Sequence, residues 1–416
     1  MVLLVTLGLA AAACVNADTP KAQGEPPVLG QQHGSAAVVG QPAPAGTGQL
    51  DAVSCADPLH CWAVGTPGET ATPPPGASTG STTSSVPSAA STAVIDATVD
   101  GGRTWTAEPL SFPAAPALTG ISCPLVRRCM AVGLSGLAPS GTVLTTRRSG
   151  SDWKAASTPA GAIIVTSVDC TSASDCTAIA GDGTTFWSAL STDFGRTWRR
   201  GGNLPAGLQG AGGLSCVPGA ACLVTGYTAT TGGHGQGAIV ISLDGGTTWA
   251  AADVPAGAGL LQSVACATMT SCLAVGTTST TVSAVVPAHG AVLVSNDDGR
   301  TWSRAPGAPS IDDGFGVNCP SALICAMVGT KWVDRPAVGT GAVAQSRNGG
   351  TSFVASTTSY TPLPLTALAC PTPRRCVAVG GDTVARVTLA RATRVRSPRT
   401  TTPSVRPNGV HAAPSR

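Results

Sequence analysis

The chain has 416 residues, of which only 11% are charged and 4% aromatic, against 52 glycines and 33 prolines. That balance excludes a helical domain and fits many short strands joined by turns. A net charge of +3 over such a length implies no strong polyanion partner and no nucleic acid, although arginine outnumbers lysine twenty-one to three.

Val2 to Ala13 is an apolar, small-residue run that ends at Cys14 and gives way to polar, Pro-rich sequence. It is too short to span a bilayer and resembles the apolar core of a signal peptide. Ala11-Ala12-Ala13-Cys14 is similar to a bacterial lipobox, which implies lipidation of Cys14. No Leu stands three positions before Cys14, and no basic segment precedes the run. The expectation is a signal segment at 1–14 and an exported protein on the outer face of the cytoplasmic membrane, with plain secretion as the alternative. Residues 15–48, rich in Ala, Gly, Pro and Gln, read as a flexible tether.

From there one unit recurs: Cys-x5-Cys followed by a short apolar run ending in Gly. The pairs are Cys55 and Cys61, Cys123 and Cys129, Cys170 and Cys176, Cys216 and Cys222, Cys266 and Cys272, Cys319 and Cys325, and Cys370 and Cys376. They begin 68, 47, 46, 50, 53 and 51 residues apart, a period that marks a repeat architecture. A short run enters the first Cys, five turn-like residues follow, and a second run leaves the second Cys, which reads as a hairpin. Zinc knuckles normally space paired Cys by two to four and draw on four ligands. The constant spacing of five, with no His at a matching offset, favours disulfides in an exported chain.

A second signature follows each of the first six pairs. It reads Thr98-x-Asp100-x-Gly102-x-Thr104-Trp105 first, then recurs around Asp193, Asp244 and Asp297. Two copies are degraded, with Arg148 and Asn348 in the place of Asp, and the seventh unit has none. Asp accepting backbone N–H groups, Gly permitting positive φ and an aromatic plug suit a tight turn between strands. The pattern resembles the Asp-box, or BNR repeat, of sialidase-like, photosystem-assembly-factor-like and sortilin-like β-propellers. The resemblance covers roughly residues 50–390. It implies an all-β, seven-bladed β-propeller of four-stranded antiparallel blades, one disulfide hairpin per blade, with the aspartate turn between the third and fourth strands.

The propeller is thus expected over 49–390. A Thr/Ser/Pro/Gly insertion at 66–93 should form a disordered loop in blade one, and 391–416 a basic disordered tail. The seventh blade lacks a fourth strand in sequence order, so the apolar run Ala36 to Gly40 is the candidate that closes the ring.

In a propeller the Cys-x5-Cys turns and the aspartate turns share one face. The loops between second and third strands, and between blades, share the other. The first set is uniform here and reads as structural, including Asp100, Asp193, Asp244 and Asp297. The second set varies, and variable loops on a rigid scaffold are where binding is usually placed. Candidates on that face are Lys331, Trp332, Asp334 and Arg335 of blade six with Asp312 and Asp313 in the loop entering it. Tyr227 and His234 of blade four, His289 of blade five, and Asp182 with Trp187 of blade three complete the set. An ordinary solvated loop residue is the competing reading for each.

Sialidases of the resembled fold use an arginine triad, a Tyr–Glu pair and an Asp. The chain offers only Tyr227, Tyr360, Glu25, Glu69 and Glu108, in no credible pairing. A glycosidase with two aspartates drawn from Asp182, Asp312, Asp313 and Asp334 stays open. No cofactor or metal set is apparent. The expectation is a monomeric, non-catalytic binding or assembly scaffold at the cell surface, touching the membrane by its lipid anchor only. Its partner would be a protein, peptide or glycan of the envelope, with a divergent glycoside hydrolase or glycan-binding module as the alternative.

Overall fold

The computed structural model describes residues 35–68, 93–110, 117–135, 140–147, 152–219, 221–229, 235–278, 289–307, 311–333, 338–356 and 364–391. Cys14, the body of the 66–93 insertion and the tail from 392 lie outside them, as do His234, Asp334 and Arg335.

Each Cys-x5-Cys unit folds into two antiparallel strands that set its cysteines opposite one another, as with Cys216 and Cys222. All seven pairs are bonded, with Cα atoms 3.9–4.1 Å apart. A third strand returns along the second and a short fourth follows the aspartate turn. The described residues thus form seven four-stranded antiparallel sheets, a seven-bladed propeller. Blade one is built from Thr47–Cys55, Cys61–Pro67, Val94–Thr98 and Thr106–Ala107. Blade six is built from Asp313–Asn318, Cys325–Val333, Val338–Ser346 and Val354–Ala355.

Blade seven takes three strands from the end of the chain and its outer strand from the beginning. Ala37–Pro42 pairs antiparallel with Thr383–Thr388, Val38 opposite Val387. The run expected to close the ring does so. Folded structure therefore begins inside the span read as tether.

The core is a set of seven apolar clusters lying between neighbouring blades. Between blades four and five, Leu223 and Ile241 meet Leu261, Val264 and Trp302. Trp302 is the aromatic of the blade-five aspartate turn, and the turns of blades one and six place Trp105 and Phe353 in the same way. A Cβ on Gly299 would stand 2.4 Å from Leu223 Cδ2. So the residue just after the second Cys of one blade docks on the aspartate turn of the next. That interlock explains why the two motifs recur in phase.

The glycine that ends each apolar run has an equally local cause. A Cβ on Gly65 would stand 1.8 Å from the Gln49 carbonyl oxygen, and one on Gly329 1.8 Å from that of Asp313. Both face an inner strand just where it bulges, between Leu50 and Ala52 and between Gly314 and Gly316.

Candidate functional site

The two sets of turns share a face, held together by backbone bonds. Gly101 donates to the Leu59 carbonyl at 2.9 Å, Phe194 to Ser174 at 2.9 Å, and Gly349 to Leu323 at 3.0 Å. Within a turn, Asp244 accepts the Thr248 amide at 2.8 Å, the Thr248 hydroxyl at 2.7 Å and the Ser242 hydroxyl at 2.8 Å. These donors, the Thr248 amide foremost, hold its carboxyl down to about 2. Asp193 is held to about 2 in the same way, chiefly by the Thr197 hydroxyl and amide. Asp100 and Asp297 repeat the geometry. The carboxylates shape the turn and have their oxygens committed to it.

On the opposite face, blade six brings four sequence candidates together. The register sets Asp313 against Thr330, which carries Asp312 and Asp313 alongside Lys331 and Trp332. Asp312 Oδ1 lies 3.1 Å from the Lys331 ammonium, and its Oδ2 accepts the Trp332 amide at 2.8 Å. Asp313 Oδ2 accepts the Trp332 indole N–H at 3.0 Å. The half-exposed ring lies over Gly339, where a Cβ would come within 3.1 Å of it. The cluster is a closed network: an indole and an ammonium, each fixed by a carboxylate.

The other candidates stand apart. Tyr227 is half-buried, its ring over Gly210 on the inner strand of blade four. His289 is exposed, its amide donating to the Thr278 hydroxyl at 3.2 Å. Among the described residues, no hydrogen bond or ion pair joins either to the blade-six cluster. Asp182 accepts the amides and hydroxyls of Thr184 and Thr185, which hold its carboxyl well below the usual range and close its own turn. Trp187 corrects the sequence reading: it is 1% exposed, with the Arg200 guanidinium 3.9 Å from its ring, so it offers no surface platform.

Among the described residues three buried acids escaped the sequence reading: Asp51, Asp96 and Asp169. Asp51 sits at the bulge of the inner strand of blade one, and burial pushes its carboxyl up to about 7. Asp96 is fully buried in the third strand, and burial pushes it up to about 6. One oxygen accepts the Thr47 hydroxyl at 2.8 Å, while Oδ1 has no partner. An acid in the middle of the apolar strand Val94–Thr98 was the signal available in the sequence. No three potential metal ligands stand together among the described residues.

No family model matches the chain. No curated protein matches it either. Solved structures do. "YCF48 bound to D1 peptide" is 13% identical over 85% of this chain and 95% of its own, with a TM-score of 0.55. YCF48 from Cyanidioschyzon merolae is 11% identical over 84% and 98%, at 0.52. A catalytically inactive virginiamycin B lyase from Staphylococcus aureus, with quinupristin, is 10% identical over 85% and 100%, at 0.58. At these identities the likeness is one of fold: the chain shares the seven-bladed β-propeller of a peptide-bound protein and of a lyase.

Proposed function

We propose that the protein is a non-catalytic binding scaffold that holds a protein or peptide partner on the face opposite the Cys-x5-Cys turns, with blade six as anchor. The observation that carries this is the closed network of Lys331, Trp332, Asp312 and Asp313. A half-exposed indole and an ammonium, both held in place, lose little freedom on contact, and a Trp anchor is characteristic of binding hot spots. The same bonds count against the hydrolase alternative. Acid and base across a glycosidic bond must be free to exchange protons, whereas Asp312 and Asp313 are occupied by Lys331 and Trp332. The description of one neighbour with a bound peptide adds support.

We also propose that the chain is exported, carries its lipid on Cys14 and meets its partner in the cell envelope as a monomer. Support comes from the run Val2 to Ala13 and from seven disulfides, which persist in oxidising compartments.

The test is a random-peptide display library panned on the full chain and on the Lys331→Ala/Trp332→Ala variant. An envelope-glycan panel is assayed beside it for binding and hydrolysis, with Asp312→Asn/Asp313→Asn as control. Peptides enriched on the parent and absent from the variant support the reading. Glycan turnover abolished in the Asp variant would make the protein a glycosidase instead.

A further inference from the structure

The face made by the turns exposes apolar tips and carries arginines that no carboxylate pairs, although Arg103 and Arg128 also donate to the Asp100 and Ala173 carbonyls. Among the described residues, five of the six exposed large aliphatic side chains lie on it: Leu59, Leu125 and Leu323 in Cys turns, Val99 and Leu243 in aspartate turns. Four of these five belong to blades six, one and two, which with blade seven form one unbroken arc; only Leu243 lies elsewhere.

Arginines gather on the same arc. Blade six contributes Arg347, and blade seven contributes Arg374 and Arg375. Blade one adds Arg103, and blade two adds Arg127, Arg128 and Arg147. The ion pairs among the described residues are His60 with Asp57, Lys154 with Asp152 and Lys331 with Asp312, so none of these arginines has a carboxylate partner. The acids of the arc are otherwise engaged: Asp57 with His60, Asp100 with Thr104 in its own turn, and Asp152 with Lys154. Arg128 and Arg147 both stand over the Phe194 ring, 5.5 and 5.8 Å from its centroid, like charges gathered round one aromatic. Burial, then Arg196 and Arg128, push the Arg147 guanidinium down, with Asp193 alone opposing. Arg347 Nη2 is buried without a hydrogen-bond partner. Blades three to five differ, setting Asp175, Asp193, Asp244, Asp297 and Asp298 on this face beside Arg196 and Arg300. A net charge of +3 conceals this asymmetry.

We propose that the turn face of blades six, seven, one and two docks on an anionic lipid surface, its arginines meeting phosphates and its leucine and valine tips entering the interfacial layer. Charge complementarity selects an anionic occupant. The apolar tips select a bilayer over an acidic protein. A protein partner rewards apolar side chains gathered in one packed hot spot. Here they stand singly on separate turns along the arc, which suits a fluid interface. Docking this way points the Trp332 cluster away from the membrane.

The experiment is sedimentation of the full chain in its Cys14→Ser form, which cannot carry the lipid anchor, with phosphatidylcholine vesicles, with and without phosphatidylglycerol. Two variants of exposed residues run beside it, Arg127→Glu/Arg374→Glu/Arg375→Glu and Leu59→Ser/Leu125→Ser, each checked for unchanged thermal unfolding. We expect binding only with phosphatidylglycerol, weakened at least roughly tenfold by charge reversal and severalfold by the serine tips. Failure of the parent chain to bind overturns the proposal. So does binding that neither variant alters, which would assign it to other arginines of the chain. Equal affinity for soluble poly-glutamate would assign the face to an acidic polypeptide and overturn it too.

Discussion

Asp169 reaches across the seam between blades three and four, where its Oδ2 accepts the amide N–H of Cys216 at 2.8 Å. The bond belongs to a series. Ser54 accepts the Cys123 amide at 3.0 Å, Ser122 the Cys170 amide at 3.0 Å, and Ser215 the Cys266 amide at 3.2 Å. In each case the residue just before the first Cys of one blade ties the first Cys of the next. The seam continues as Val317 to Ser263 at 3.4 Å, and the ring closes through the Thr366 hydroxyl donating to the Leu50 carbonyl at 2.7 Å. Ser122→Ala leaves the Cys170 amide buried without its acceptor and should lower stability by about 1–3 kcal/mol. Chemical denaturation of the variant measures the loss.

The seven disulfides each close a small loop. Non-reduced protein should show no free thiol other than an unlipidated Cys14, by mass shift on alkylation. Replacing Cys266 and Cys272 together with Ala should cost roughly 2 kcal/mol on the chain-entropy account, without removing the blade.

The glycine at the end of each apolar run is fixed by contact with backbone. Gly329→Ala drives a Cβ against the Asp313 carbonyl, 1.8 Å away, where no flexible side chain can yield. A loss of more than about 3 kcal/mol is expected, placing it among the severe single substitutions. A shifted Trp332 emission should accompany it, because Asp313 holds that indole.

Stability should depend on pH with opposite signs on the two sides of about pH 4. Folded Asp51 keeps its proton up to about 7 and Asp96 up to about 6, against about 4 in an unfolded chain. In that window the folded chain binds more protons, so stability falls as pH rises toward 7. Asp193 and Asp244, held to about 2, act the other way: their contribution is lost as pH falls from about 4 toward 2. Unfolding free energy should peak near pH 4. Asp51→Asn should flatten the limb between pH 4 and 7, removing on the order of 4 kcal/mol of its change. Denaturation series at several pH values test both signs.

The sequence was most legible where spacing alone specified geometry. The recurring Cys pairs gave the blades and their cross-strand bonds, and the missing fourth strand at the end of the chain pointed to Ala36–Gly40. Tertiary choices were less visible. Phe194 and Asp298 take positive φ, 60° and 65°, at a turn position that Gly101, Gly245 and Gly349 fill in other blades. Nothing local foretold that Phe194 would be buried there beneath two arginines. Trp187 reads as a loop aromatic until Arg200, thirteen residues on, folds over it. The blade-six cluster was half legible: its members stood out as charged and aromatic, but only the strand register brings Asp312 to Lys331 and Asp313 to Trp332. Isolated leucines in turns carry no periodicity, so the apolar tips of the opposite face gave no signal at all.

The central claim is that blade six binds a partner with a preorganised Trp332 and Lys331. It is tested most directly by calorimetric titration of a library-selected peptide into the parent chain and into Lys331→Ala/Trp332→Ala, with thermal unfolding of both. The account expects affinity to fall at least roughly tenfold while the unfolding temperature stays within a few degrees. Equal affinity in the two proteins would contradict it, and so would a loss of affinity that merely tracks a loss of fold.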